Sequence, residues 1–350
     1  MSRETALWLN TRTLIGHTDV RGNAWHYRAE QQGEQSNHYP GAIPIEDVRS
    51  RLFNWHAVEG TVRADVVSED GAFSITDPTR KAILRPPGAF GEDDRGQILG
   101  LFKSGYQIHQ FDEWLLTQVA AILDDDLTIG SAGLLKAGAA AWVQVEVPES
   151  IVTPSGIEFR PHLLAATSLD GTLATTYKRC VQVVVCDNTM EAGLGEQGQQ
   201  FKVKHSRYSD AKLGSVRDAL EIVHTVGEDF TRQVEELTNT TVTDDQWSVF
   251  LESLAPRSDE NGNLKEGRGL TIASNKQAGL QNLWNTDERV MPWKNTAFGV
   301  MQAVNTFEHH LTAVSKSSAE RGERNMLRAV SGETGKTDRS TMDLLATILA

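Results

Sequence analysis

The stretch HLLAATSLDGTLATTYKRCVQVVVCDNTM, His162–Met190, decides what kind of sheet this chain builds. Asp170-Gly171 is a strong hairpin signal, because a residue that tolerates positive φ followed by glycine fits a two-residue turn whose twist matches the flanking strands. Strand-like runs lie on both sides. After the turn, Cys180, Gln182, Val184 and Cys186 share one face, and Arg179, Val181, Val183 and Val185 share the other. Both faces are mostly apolar, so the strand is central. Lys178 and Arg179 stand at its entry. Asp187-Asn188-Thr189 at its exit reads as a helix cap, either an ordinary one or one whose free backbone N–H groups of Asn188 and Thr189 hold an anion.

Working toward the N-terminus, Trp142–Val147 alternates apolar and polar, Thr153-Pro154-Ser155-Gly156 makes a turn, and Ile157–Ser168 is a second strand. Three antiparallel neighbours in a meander result. No βαβ alternation occurs, so the fold class is α+β, a central antiparallel β-meander with helices packed on it and a mostly helical C-terminal half. PIEDVRSRLFNW opens with Pro44 and two acids and places Val48, Leu52 and Trp55 on one helical face. HAVEGTVRADVV reads as a strand, and Thr76–Gly96 as a loop with a short strand at Ala82–Leu84. Ile108, Phe111, Leu115, Val119 and Ile122 fall at helical spacing, and Asp124–Asp126 reads as a solvated turn after that helix.

Beyond residue 210, Leu213, Val216, Leu220, Val223, Phe230, Val234 and Leu237 trace a long apolar stripe. Thr243 and Gln246 form a capping box for DDQWSVFLESL. Further helices are expected at Ala273–Trp284, Ala297–Val314 and Ala319–Val330, with a short one in the last ten residues. The expected organisation is a partly irregular N-terminal arm over 1–42, an α+β core over 43–240, and a helical region over 241–350 packed on that core.

Bulk properties narrow the function. At 350 residues and 39% hydrophobic, the chain has material for a sizeable core. Its apolar runs, such as Val181–Val185, fall short of the roughly 20 residues of a membrane helix, and MSRETALWLN lacks the apolar block of a secretory signal. The expected compartment is the cytoplasm, with no membrane partner. Cys180 and Cys186 lie about 20 Å apart at roughly 3.3 Å per residue, too far for a mutual disulfide, and no metal-ligand spacing accompanies them. A net charge of −13 argues against a globally basic coat for duplex DNA. Thr176–Arg217 opposes that trend, with seven cations against four acids.

Three spellings do not carry their usual chemistry. GLGEQG, Gly193–Gly198, does not directly follow a strand or open a helix, as a dinucleotide loop requires. GETGKT, Gly332–Thr337, lacks the first glycine of a phosphate loop, since position 330 is Val330. Glu308-His309-His310 are neighbours that point about 100° apart on a helix and cannot share an ion. No catalytic motif, metal site or cofactor is expected. FKVKHSRYS, Phe201–Ser209, reads differently. Lys202 and Lys204 project from one face of an extended run, and His205, Arg207 and Tyr208 follow. Cations that neutralise phosphates beside rings that stack bases are what a single strand of nucleic acid requires. A solvated edge strand guarded by lysines is the plainer alternative.

His162–Met190 together with KVKHSRYSDAK and TAFGVMQAVNTFEHH resembles the phage/plasmid-like protein family that carries domain of unknown function 932, over roughly residues 39 to 340. The resemblance implies a gene of an actinobacterial phage, prophage or plasmid, acting in the bacterial host, and implies no established activity. A phage protein of this architecture is expected to bind or anneal single-stranded DNA without a nucleotide, as RecT and Red-beta do as homo-oligomers. That comparison is one of architecture and lifestyle, since no RecT motif is present. Lys178, Arg179, Lys202, Lys204 and Arg207 would contact phosphates, Tyr208 or His205 would stack a base, and Asn188 and Thr189 would offer N–H groups. The alternative is a host-directed binding protein, such as an inhibitor of a bacterial defence system. A metal-dependent nuclease built on Asp124–Asp126 has least support, because three consecutive residues do not easily converge on one ion.

Overall fold

A computed structural model describes residues 11–22, 29–32, 35–69, 71–121, 123, 127–146, 150–183, 188–191, 200–206, 209, 226–312, 324–325, 328–329 and 331–350. The chain divides into two compact units that interleave in sequence, where successive blocks were expected. One takes Met1–Pro148, His162–Lys178 and Gln200–Val223, and the other takes Glu149–Pro161, Arg179–Gln199 and His224–Ala350.

The first unit holds the meander. Its strands are β1 (Thr13–Ile15), β2 (Val58–Ser68), β3 (Gly71–Arg85), β4 (Gln97–Lys103), β5 (Thr128–Leu135) and β6 (Ala140–Glu146). Two strands begin or end in the second unit. With β7 as Ile151–Val152, they are β8 (Glu158–Ser168) and β9 (Thr175–Val183). After β10 (Asn188–Glu191), β11 (Gln200–Val203) belongs to the first unit again. The neighbours in the main sheet of this unit run β1-β5-β6-β8-β9-β11, so β5, β6, β8 and β9 form the expected antiparallel meander. Gly171, at φ 74°, supplies the positive φ of the β8–β9 turn. Both faces of the sheet are covered: β6 buries Ala141, Val143 and Val145 in a core with Trp114, Leu115 and Tyr177, while Trp142 and Glu146 on its other face are also buried.

The arm expected over 1–42 is partly ordered, because β1 adds an edge strand to β5 and buries Leu14 completely. Helix α1 (Ile45–Arg51) follows Pro44, as the spacing predicts. Of the loop expected over Thr76–Gly96, the first part, to Arg85, is strand, and only residues 86–96 are loop. β3 pairs with β2 along its length, with Thr61 opposite Lys81 and Val62 opposite Asp77, so Pro78, Thr79 and Arg80 form a bulge that takes proline out of the ladder. The helix expected near 107–123 exists as a π-helical segment, Asp112–Thr117, followed by one α-helical turn, Gln118–Ala120.

The second unit is mainly helical: α2 (Val226–Asn239), α3 (Asp244–Leu254), α4 (Gly267–Thr286), α5 (Ala297–Thr306) and α6 (Glu333–Leu349). Thr243 and Gln246 form the predicted capping box. The helix at the C-terminus begins at Glu333, so Lys336 and Thr337 of GETGKT lie in its first turns. A core of Phe159, Phe230, Trp247, Trp284 and Phe298 joins these helices to the start of β8, with the Trp247 and Trp284 rings stacked at 4.2 Å. Burying each such side chain contributes about 2–3 kcal/mol. Gly299 sits in the first turn of α5, where an added Cβ would collide with the backbone carbonyl of Trp293. Because backbone cannot yield as a side chain can, Gly299→Ala is expected to destabilise the protein by about 3 kcal/mol in urea denaturation, well beyond the cost of an exposed glycine replacement.

Candidate functional site

β11 pairs with the first half of β9, placing Lys202 opposite Thr176 and Val203 opposite Thr175. Val203 is fully buried, while Lys202 and Lys204 are exposed. Lys202 belongs to β11, and Lys204 follows directly after its last residue, Val203. Neither lies within ion-pair distance of a carboxylate among the described residues.

Immediately after Lys204 the chain turns inward and inserts His205 into a column of five rings. Phe102 stacks on Tyr106 at 3.9 Å, Tyr106 on His205 at 5.0 Å, His205 on His109 at 3.9 Å, and His109 on Trp114 at 3.7 Å. Hydrogen bonds fix the histidine tautomers. His205 Nδ1 faces the carbonyl of Gln107 at 3.1 Å and must donate. In the neutral ring Nε2 then accepts from the Thr167 hydroxyl at 3.1 Å, Thr175 donates to Thr167 at 2.7 Å, and His109 Nδ1 donates to Thr175 at 2.5 Å. The relay runs one way, from His109 to Gln107. His109 Nε2 is left as a buried acceptor without a protein partner. Burial, together with the neighbouring His205, pushes His109 down to about 3, and burial pushes His205 down to about 4. Both rings are therefore neutral at pH 7. Tyr177 closes the base of the column by donating to the carbonyl of Trp114.

The predicted site residues separate. Lys178 is 2% exposed, because β9 begins at Thr175 and Lys178 falls inside the strand instead of at its entry, so its ammonium cannot meet a phosphate at the surface. His205 cannot stack a base, since Tyr106 and His109 cover its two faces. Asn188 and Thr189 are not a helix cap. They open β10 in the second unit and pair with Val183 and Gln182. The backbone of Arg179 belongs to β9, and its side chain lies outside the described residues, as do Asp187, Arg207, Tyr208, Asp124–Asp126, Cys186 and the GLGEQG run. Cys180 is buried, as expected. Lys202 in β11 and Lys204 directly after it remain as exposed cations.

Sequence reading missed His109 and Thr167, which contact His205 across tens of residues, and Thr175, which links those two, and only the QIHQF context of His109 hinted at an inward histidine. A second polar cluster occupies the second unit. There α5 continues into a π-helical segment, Phe307–Leu311, whose Glu308 accepts ion pairs from Lys276 at 3.4 Å, Arg328 at 3.1 Å and Arg324 at 3.8 Å. Thr312 also donates to this carboxylate. Burial opposes its ionisation, but Lys276 and Arg328 outweigh that and hold Glu308 below the ordinary carboxylate range. Among the described residues no group of three metal-ligating side chains converges, and no helix is long and apolar enough to cross a membrane.

Fold and site together define an α+β protein with an antiparallel meander, a buried ring column and two exposed lysines beside it. Residues 98–331, about two thirds of the chain, match the family model described as domain of unknown function DUF932, and the chain belongs to that family. No curated protein and no solved structure matches it.

Proposed function

We propose that this chain, carried by a phage or plasmid, binds single-stranded DNA without a nucleotide cofactor and holds it for annealing. The observation that carries this reading is the pair Lys202, in β11, and Lys204, directly after it, both exposed and without carboxylate partners among the described residues, on a molecule of net charge −13. On an acidic body, uncompensated lysines in and just after a strand make a local positive patch, and the ring column entered by His205 anchors the chain directly after them. The phosphate contacts come from Lys202 and Lys204, with Arg207 and Tyr208 next in the chain.

Charge reversal tests it. In an electrophoretic shift with a labelled single-stranded oligonucleotide, the variant carrying Lys202→Glu and Lys204→Glu is expected to bind at least about tenfold more weakly. Its plot of log affinity against log salt should be shallower by about 1.4, the slope of two phosphate contacts on a single strand. Equal binding by the double variant and the parent would overturn the assignment.

A further inference from the structure

The β2–β3 ribbon carries an apolar face on which nothing packs among the described residues. Along β2, Val58, Val62, Ala64 and Val66 project to one side, and the register sets Leu84, Asp77, Ile75 and Phe73 opposite them in turn. β4 adds Ile98 beside Leu84 and Leu101 beside Ala82. Val58, Val66, Phe73, Ile75, Ile98 and Leu101 are each between 39% and 60% exposed. The charges on this face are Asp77, held by Thr79 and paired with Arg80, and the cations Arg80 and Lys103, which stand opposite each other at the supported end of the ribbon. The reverse side is polar, with Arg63, Asp65 and Ser74 bonded to one another. β4 pairs with β3 only over Arg80–Arg85, so toward its tip the ribbon has two strands and no support. A two-stranded ribbon alone is marginal in water, and a contiguous exposed apolar stripe marks an interaction site.

The geometry points to a second copy of this chain as the occupant, its ribbon laid face to face on the first about a twofold axis. Charge favours a copy of itself: residues 58–85 hold four cations and five acids, close to balance, within a chain of net charge −13. Two copies therefore meet here without the repulsion that their acidic bodies carry elsewhere, whereas a basic partner finds no field to follow. Shape agrees, since a flat apolar face on one ribbon matches its own twofold image. Area sets the strength. The stripe is about 30 Å long and 10–15 Å wide, so two faces remove on the order of 1,000 Å² in all, the lower end of specific interfaces. The dimer is thus reversible and concentration-dependent. None of this rests on DNA binding.

Sedimentation velocity without nucleic acid, from about 1 to about 100 µM, spans the range expected of an interface this small. The parent protein is expected to shift from monomer toward dimer as concentration rises. The variant with Phe73→Ser and Ile75→Ser should stay monomeric throughout, and so should Ile75→Lys, which sets like charges across the axis. Val67→Ser, on the polar side of the ribbon, should dimerise like the parent. Near-UV circular dichroism confirms that each variant is folded. A parent that remains monomeric at the highest concentration, or folded Phe73/Ile75 variants that associate as the parent does, would overturn the proposal.

Discussion

Acidifying the protein from pH 7 to pH 5 lowers its resistance to urea, and replacing His109 by glutamine removes part of that loss. An unfolded histidine takes up a proton near pH 6.5, whereas folded His109 waits until about 3 and folded His205 until about 4. Between those values the unfolded chain binds more protons than the native one. The stability that these neutral rings contribute is whole above pH 6.5 and drains away as the pH falls through that window. Each ring removes about 1.4 kcal/mol per pH unit there, so His109 alone accounts for about 2 kcal/mol by pH 5. His205 and, in the second unit, His309, pushed down to about 4 by its burial, act in the same direction. His109→Gln keeps a group able to donate to Thr175 but does not titrate, so its stability should fall less steeply with pH. The fluorescence of Trp114, stacked on His109, reports the transition. Parallel pH dependences of parent and variant would show that His109 titrates as freely in the folded chain as in the unfolded one.

Glu308→Ala is expected to cost about 3 kcal/mol, because it removes the one half-buried carboxylate that Lys276, Arg324 and Arg328 share and leaves their mutual repulsion unopposed there. Lys276→Met should cost less, about 1 kcal/mol, since two arginines still face the carboxylate. Salt supplies an independent check. Added sodium chloride screens the repulsion among the three cations, so the gap in urea midpoint between Glu308→Ala and the parent should narrow as ionic strength rises. A midpoint within about 0.5 kcal/mol of the parent would mean that Glu308 neutralises nothing the fold depends on.

The parts of this molecule legible in the sequence are those set by local rules. Asp170-Gly171, the alternation of Trp142–Val147, the stripe of α1 and the capping box at Thr243 each depend on neighbours within a few residues, and each forms. Failures occur where distant chain segments decide. Pro78 discounts a strand by local propensity, yet a bulge against Thr61 and Val62 accommodates it. Helical spacing over Ile108–Ile122 assumes 3.6 residues per turn, and the π-helical segment at Asp112–Thr117 breaks that assumption. Lys178 looks like a strand entrance only when β9 is started too late. Asn188 and Thr189 have the composition of a cap and of a strand start alike, and the pairing with β9 chooses the strand. His205 reads as an exposed ring among cations because its company in space, Tyr106 and His109, comes from about a hundred residues away in the chain. Similarly, the rule that adjacent Glu308 and His309 cannot share a metal is sound but silent on Lys276 and Arg328.

Because β8 and β9 thread through both units, no single cut divides this protein into two self-sufficient pieces. A fragment ending at residue 148 would lose β8, the hydrogen-bonding neighbour of β6, and one beginning at 149 would lose β6, which pairs with the late part of β8. Gene fusions, permutations and protease-trimmed forms of this family should therefore keep the stretch from β5 to β11 whole, and recombination within it should be purged even when both parents fold alike.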